Sequence, residues 1–369
     1  MVNRIPVYTA LLLMVMLLVS NPVSAVAIDD LYMADVSAGQ TQQQWQHEAL
    51  SQVITRLTGL DDFTPYPAIA AELNNAGRYV KQFESQRQNG SSRLKVLLDA
   101  SQINGLLQQQ GIAIWGAHRP EILLWIVQQQ QTDRNFLRQQ EHPIVSDLLQ
   151  GMQQHGIPIT LPLYDMDDLL QLSETDVWAG FWQPIVSASS RYRPDMIMTA
   201  AFDEINRDGE SLQRVSWQRQ VLLPGTRQTR IVRNELTAAD TTELVLAMSA
   251  ALTKELAAEQ AVVLQPERQT YQLEIENLQT LAEVVVTERM LSQVLGVADV
   301  TLSEFTPGKA RFAVQLHIEL TQLTAILQWE PALEALSVVT SGDSRGRQMQ
   351  PVGLGLDIQP DASYRFARQ

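Results

Sequence analysis

The sequence predicts an α+β protein in which two ferredoxin-like βαββαβ units flank a mixed α/β sandwich module. Three observations lead there. The order strand, helix, strand, strand, helix, strand can be read twice along the chain. Between the two readings, strands and helices first alternate and then strands cluster. The chain's 369 residues, 45% hydrophobic and 18% charged, supply enough apolar length for two or three modest cores.

The first unit opens with the short strand "LYMADV". In "TQQQWQHEALSQVITRLTGL", Trp45, Leu50, Val53, Ile54 and Leu57 recur at spacings of three to five, a helix stripe that stops at Gly59. "AIAAELNNAG" predicts a short helix. "RYVKQFES" and "SSRLKVLLDA" form a hairpin, "SQINGLLQQQGI" is a helix and "IAIWG" a fourth strand. The last unit repeats the order, with strand "YQLEIENL", helix "LAEVVVTERMLSQVLGV", hairpin "DVTLSEF" and "ARFAVQLHI", helix "ELTQLTAILQW" and strand "LSVVTS". Either an internal repeat or two occurrences of a common motif would give this pattern. In the middle, "EILLWIVQ" is a buried-strand run, "HPIVSDLLQGMQQHGI" a helix and "IPITLPLYD" a strand. "TDVWAGFWQPIVSASSRY" is a helix interrupted at Pro184, and "PDMIMTAAF" a strand. "SLQRVSWQRQVLL" and "TRQTRIVRNEL" pair antiparallel before a long helix after Asp240. The expected boundaries are a signal peptide at 1–27, an N-terminal ferredoxin-like domain at 28–117, a mixed α/β domain at 118–265, a C-terminal ferredoxin-like domain at 266–342 and an irregular tail at 343–369.

The N-terminus reads as export. Arg4 precedes an apolar run from Ala10 to Val19, and small residues around Ala25 and Ala27 offer cleavage sites. That run is too short to cross about 30 Å of hydrocarbon, so a cleaved signal is expected rather than an anchor. The absence of Cys excludes disulfides and a lipid anchor, which fits a bacterial periplasm. A formal charge of -14 argues against nucleic acid as a partner.

Candidate chemistry concentrates in "LPLYDMDDLLQLSETDVWAGFW", residues Leu161 to Trp182. Asp165 and Asp167 could ligate a hard cation, and Asp165 and Asp168 could serve as acid and base. An EF-hand starting at Asp165 fails, because Leu169 and Leu170 stand where a ligand and a glycine are required. Helix entry explains more residues. Ser173-x-x-Asp176 matches a capping box, Glu174 and Asp176 face a positive helix end, Asp165 can cap a turn at Met166 to Leu170, and Val177, Phe181 and Ile185 share a core-facing stripe. Arg191 and Arg193, with Arg227, Arg230 and Arg233, could grip an anionic ligand or merely solvate a strand edge. His47, His118, His142, His155 and His317 form no zinc motif. "VGLGLD" lacks the third glycine of a dinucleotide fingerprint, and nucleophile motifs are missing, so no cofactor is expected.

In this order, "LYMADV", "ALSQVITRLTGL", "YVKQF", "IWGAHRPEILLWIV", "GIPITLPLYDMDD", "DVWAGFW" and "ASSRYRPD" resemble a family of exported proteobacterial proteins known only by a domain-of-unknown-function label (DUF2066-like). The resemblance runs from about Leu31 to about Phe202. It implies an uncharacterised envelope protein and carries over no activity, ligand or catalytic residue. The expectation is a soluble periplasmic scaffold or adaptor without enzymatic activity, binding another envelope protein through a sheet edge or an inter-domain groove. The alternatives are a glycan-directed envelope hydrolase using Asp165 and Asp168, and a carrier of an anionic envelope ligand using Arg191 and Arg193.

Overall fold

The computed structural model describes residues 31–88, 91–207, 209–222, 229–330, 332–338 and 360–367. The expected signal peptide at 1–27, "VGLGLD" and Arg227 lie outside the described residues. The class is α+β, with three sheets among the described residues and helices on their faces. No helix among the described residues is long and apolar enough to cross a membrane.

In the first unit, β1 (Met33–Ser37), β2 (Val80–Gln88) and β3 (Ser91–Leu98) form an antiparallel sheet in the order β1-β3-β2. Helix α1 (Gln42–Thr58) packs on it through Leu50, Val53, Ile54 and Leu57, all buried. Thr41 and Gln44 close a capping box at its start. Gly59 ends it in the left-handed region at φ 70°, a conformation that a side chain would strain. Helices α2 (Pro67–Leu73) and α3 (Ala100–Gln109) complete the unit. The expected fourth strand, "IAIWG", does not join this sheet. Ile114 instead forms a single bridge with Val262, beyond the middle module's long helix. The β1 edge is capped by side chains: the Met33 carbonyl accepts from Arg56 at 2.7 Å, and the Asp35 carbonyl from Gln52 at 3.3 Å and Arg93 at 2.8 Å. Those carbonyls would otherwise be open to another strand.

The middle sheet runs β5-β4-β7-β8-β9, with a short β6 also on β4. Its strands are β4 (Ile122–Gln130), β5 (Asp133–Phe136), β6 (Ile159–Thr160), β7 (Met196–Arg207), β8 (Glu210–Leu222) and β9 (Thr229–Ala238). β4 and β7 are parallel and buried on both faces, hence the unbroken apolar run in β4. Ile122, Leu124 and Ile126 point into a core with α4 (Pro143–Gln154) and α8 (Thr241–Gln260). Leu123, Trp125 and Val127 point the other way. That second face is covered by α5 (Met166–Gln171), α6 (Glu174–Ala179) and α7 (Trp182–Ser189). The expected interruption at Pro184 falls at Gly180 instead, whose φ of 71° ends α6, while Pro184 sits harmlessly in the first turn of α7.

The last unit has β10 (Gln269–Glu276), α9 (Leu281–Ser292), β11 (Val297–Thr306), β12 (Lys309–Leu316), α10 (Leu320–Leu327), β13 (Leu333–Val338) and β14 (Ala362–Phe366). The sheet order is β11-β12-β10-β14-β13. Strand β14 corrects the reading of the tail as irregular. It lies inside the sheet, parallel to β10 and antiparallel to β13, with Ala362 and Tyr364 buried. In a four-stranded ferredoxin-like sheet β10 and β13 would be direct neighbours, and here the tail separates them. Among the described residues, neither outer unit therefore forms the expected four-stranded sheet. Buried residues of the first and last units form one continuous cluster, from Leu31 through Ile114 to Tyr364.

Candidate functional site

Residues 161–192 bring the two sequence-predicted clusters together. Tyr164 takes a left-handed backbone (φ 51°) and turns the chain into α5. Its buried ring packs edge-on against Trp125, with centroids 5.4 Å apart, and its hydroxyl accepts from the Ile126 N–H at 3.1 Å. Asp165 caps α5, its carboxylate accepting from the Asp168 N–H at 3.1 Å. After α7, a turn of 3-10 helix at Ser190–Tyr192 returns the chain to the same spot.

There Arg191 clasps Asp165 through two parallel bonds of 2.8 and 2.9 Å, and its Nη1 also reaches Asp168 Oδ1 at 3.2 Å. Asp168 is buried, and its other oxygen accepts from the Tyr192 hydroxyl at 2.5 Å. That hydroxyl in turn accepts from the Leu163 N–H at 2.9 Å. Asp167 stays 76% exposed, with Arg191 3.9 Å away. The bond from Arg191, together with the Asp168 N–H, holds the Asp165 carboxyl below its ordinary range. The Arg191 guanidinium is raised in return. Burial, then the carboxylate of Asp168, pushes the Tyr192 hydroxyl up to about 12.

This arrangement is a closed one. A general acid or base needs a carboxyl oxygen turned toward substrate, and a hard-cation site needs free carboxylate oxygens. Here a guanidinium fills the space between Asp165 and Asp168, and the remaining Asp168 oxygen is taken by Tyr192. Among the described residues, no group of three or more His, Cys, Asp or Glu gathers as metal ligands would. Arg191, proposed from sequence to hold an anionic ligand, faces these carboxylates. Arg193, in the left-handed region at φ 51°, is exposed. The two arginines thus do not converge on one anion. Next along the chain, Ser173 and Asp176 form the expected capping box, with bonds of 2.9 and 3.2 Å. Val177 and Ile185 are buried as expected, but Phe181 is 56% exposed.

The second notable constellation was missed in the sequence. Arg119 is 6% exposed and donates five hydrogen bonds to carbonyls: to Gly116 at 2.9 Å, His155 at 2.8 Å, Gly156 at 3.1 Å, Arg56 at 2.9 Å and Trp115 at 3.0 Å. Its guanidinium lies 3.9 Å over the Trp115 ring. Burial, then the nearby charge of Arg56, brings its pKa down to about 9, so it stays charged at neutral pH. Arg56 itself donates to the carbonyls of Gln154 at 2.6 Å and Met33 at 2.7 Å. The same junction holds the Trp115 Nε1 bond to Gln260 at 3.0 Å and the His118–Glu330 pair at 3.2 Å. All three units meet there. One sequence signal was available, since Arg119 is the sole Lys or Arg between Lys95 and Arg134. Beside it, a cleft of about 310 Å³ is lined by His47, Glu48, Thr55 and His155 among others. Burial and the charges of Arg56 and Arg119 hold His155 down at about 4.

Fold and site thus describe an α+β protein whose most suggestive charged residues are bonded to one another. Residues 25–116, about a quarter of the chain, match a family model described as a domain of unknown function (DUF8605). The likeness to an uncharacterised-domain family therefore holds at that level and over that span, under a label other than DUF2066. No curated protein matches the chain.

Proposed function

We propose that this protein is a scaffold or adaptor of the bacterial envelope, without enzymatic activity, that binds another envelope protein. In this reading it is exported by a signal at residues 1–27, is soluble in the periplasm and belongs with exported proteobacterial proteins. One observation carries the non-enzymatic reading: Asp165, Asp168, Arg191 and Tyr192 satisfy one another, with a guanidinium between the two carboxylates that would have to act as acid and base. The junction around Arg119 adds support, because fixing three units against each other suits a protein that presents surfaces.

The test is complementation in a deletion strain, with protein levels measured alongside, and in vivo crosslinking of the full chain followed by mass spectrometry. Asp165→Ala and Asp168→Ala are expected to lower abundance and to keep function once levels are matched. Normal abundance with lost function would favour the glycan-directed hydrolase. Function lost only in Arg191→Ala and Arg193→Ala at normal abundance would favour the anionic-ligand carrier. Recovery of no reproducible partner would overturn the adaptor reading, and failure of osmotic shock to release the protein would overturn its placement.

A further inference from the structure

We infer that two copies of this chain pair edge to edge through β9, antiparallel and centred on Asn234, an association that goes beyond the adaptor reading and does not depend on it. Among the described residues the three sheets end on β1 and β2, on β5 and β9, and on β11 and β13. An open edge is a template for another strand, and proteins blunt most of theirs. The carbonyls of β1 are capped by Arg56, Gln52 and Arg93. Strand β5 has four residues. Strand β11 has register shifts at Val297/Asp299 and Leu302/Glu304, and the six-residue β13 has one at Ala335/Ser337. Strand β2 is shifted at Val80/Gln82. Strand β9 carries none of these devices. Its ten residues, Thr229–Ala238, keep an unbroken register against β8, and among the described residues no group outside the sheet bonds to their backbone.

The side-chain pattern of β9 selects a second copy as the occupant. Residues directly opposite in an antiparallel pair share one face of the sheet, so two identical strands related by a two-fold axis must be centred on a residue. Centred on Asn234, Arg233 of each copy stands opposite Glu235 of the other, Val232 opposite Leu236 and Ile231 opposite Thr237, while Arg230 falls opposite Ala238. Centring on Arg233 or on Glu235 would set like charges against each other, and centring on Val232 would give neither a charged partner. Both charges are exposed. Arg233 bonds the neutral amide oxygen of Gln218 at 3.1 Å. Glu235 lies 3.6 Å from Arg214, whose guanidinium is held by Asp203 through bonds of 2.8 and 2.6 Å. On the opposite face Leu236 packs against the core beneath α8, so its pairing with Val232 continues that apolar layer across the axis. The overlap of Arg230 to Ala238 makes about eight to ten main-chain hydrogen bonds and joins the two middle sheets into one. Strand β2 offers no such fit, because Glu84 and Arg87 fall on opposite faces and cannot meet in any self-pairing.

The test is sedimentation velocity of the full mature chain over about 1–100 μM, where a dimer is expected to form. Arg233→Glu and Glu235→Arg each turn both opposite-charge pairs into like-charge pairs, and each should weaken the dimer by about tenfold or more. Mixing the two variants should restore it, because every facing pair is then opposite in charge. The double variant Arg233→Glu with Glu235→Arg should dimerise as wild type does. Glu304→Arg, on the bulged β11 edge, should leave association unchanged. Circular dichroism checks that each variant is folded, and recovery in the mixture shows directly that the single variants kept their edges. A wild-type monomer throughout the range, a dimer indifferent to both charge variants, or a mixture that fails to recover would each overturn the inference. Photocrosslinking in cells from position 237 reads the occupant. Capture of the chain itself supports the pairing, whereas capture of another polypeptide alone would assign this edge to a foreign strand and overturn it.

Discussion

Replacing Arg119 by Ala removes a side chain that bonds the first unit, the junction and the middle module simultaneously. Of its five acceptors, the carbonyls of Arg56 and Trp115 are bonded in fully buried surroundings, and those of Gly116, His155 and Gly156 in partly buried ones. The latter three can regain water in the variant. The first two cannot, and each stranded buried acceptor costs about 1–3 kcal/mol. Loss of the guanidinium stacked 3.9 Å over Trp115, and the void it leaves, adds about 1–2 kcal/mol. The expected loss is about 3–8 kcal/mol, large against a typical total of about 5–15 kcal/mol. Arg119→Lys keeps the charge but has three donors for five acceptors, so an intermediate loss is expected. Urea denaturation followed by tryptophan fluorescence measures both variants, and the Lys variant keeps the comparison readable if the Ala variant does not accumulate. An Ala variant within about 1 kcal/mol of wild type would refute the assignment of Arg119 as the junction's anchor.

Two further outcomes are expected. Ser173→Ala removes the hydroxyl that accepts from the Asp176 N–H and should cost about 1 kcal/mol in thermal or urea unfolding, with complementation intact; complementation lost at normal stability would contradict a purely capping role. His155 is neutral in the fold because burial, Arg56 and Arg119 hold it at about 4 instead of 6.5. Its contribution is therefore complete above pH 6.5 and is lost as pH falls toward 4, amounting to about 2 kcal/mol between pH 6.5 and 5. His155→Gln should flatten that part of the stability profile, and an unchanged slope would show that another group sets it.

What the sequence revealed and what it concealed divide by distance along the chain. Caps were legible where they were local: Ser173 with Asp176 and Gly59 as a helix stop each involve groups within one or two turns. The order of strands and helices in the middle module followed from periodicity, apart from the four-residue β5 and the position of the break at Gly180. Partner choice was not legible. Ile114 and Val262, 148 positions apart, bridge in place of a fourth strand, and Leu273 pairs with Ala362 across 89 positions of sequence. Nothing in "ASYRF" distinguishes a sheet interior from a tail. The acidic stretch and the arginine pair were each singled out, but a separation of 26 residues hid the fact that Asp165 and Arg191 are partners. Arg119 was overlooked for a related reason: its acceptors are backbone carbonyls, which any sequence supplies.

The two helical layers of the middle sheet serve different ends. The α4 and α8 layer is joined to the rest of the molecule: His155 and Gly156, at the end of α4, accept from Arg119, and Gln260, at the end of α8, accepts from Trp115. At the close of α1, a Cβ on Gly59 would lie 2.9 Å from the Ala257 side chain, so only glycine allows α1 and α8 to come this near. The α5–α7 layer is held differently. Its helices have six, six and eight residues, too short to be stable alone. They are fixed by the capping box at Ser173, by the Trp125 bond to Ser189 at 2.9 Å and by the Arg191–Asp165–Asp168–Tyr192 knot. Such short elements depend on tertiary contacts of this kind. The acidic cluster thus ties the start of α5 to the turn that follows α7. Tyr192→Phe leaves an Asp168 oxygen and the Leu163 N–H without their partner and should lower stability to urea by about 1–3 kcal/mol with complementation kept, whereas a variant as stable as wild type would show that Tyr192 is no part of the lock.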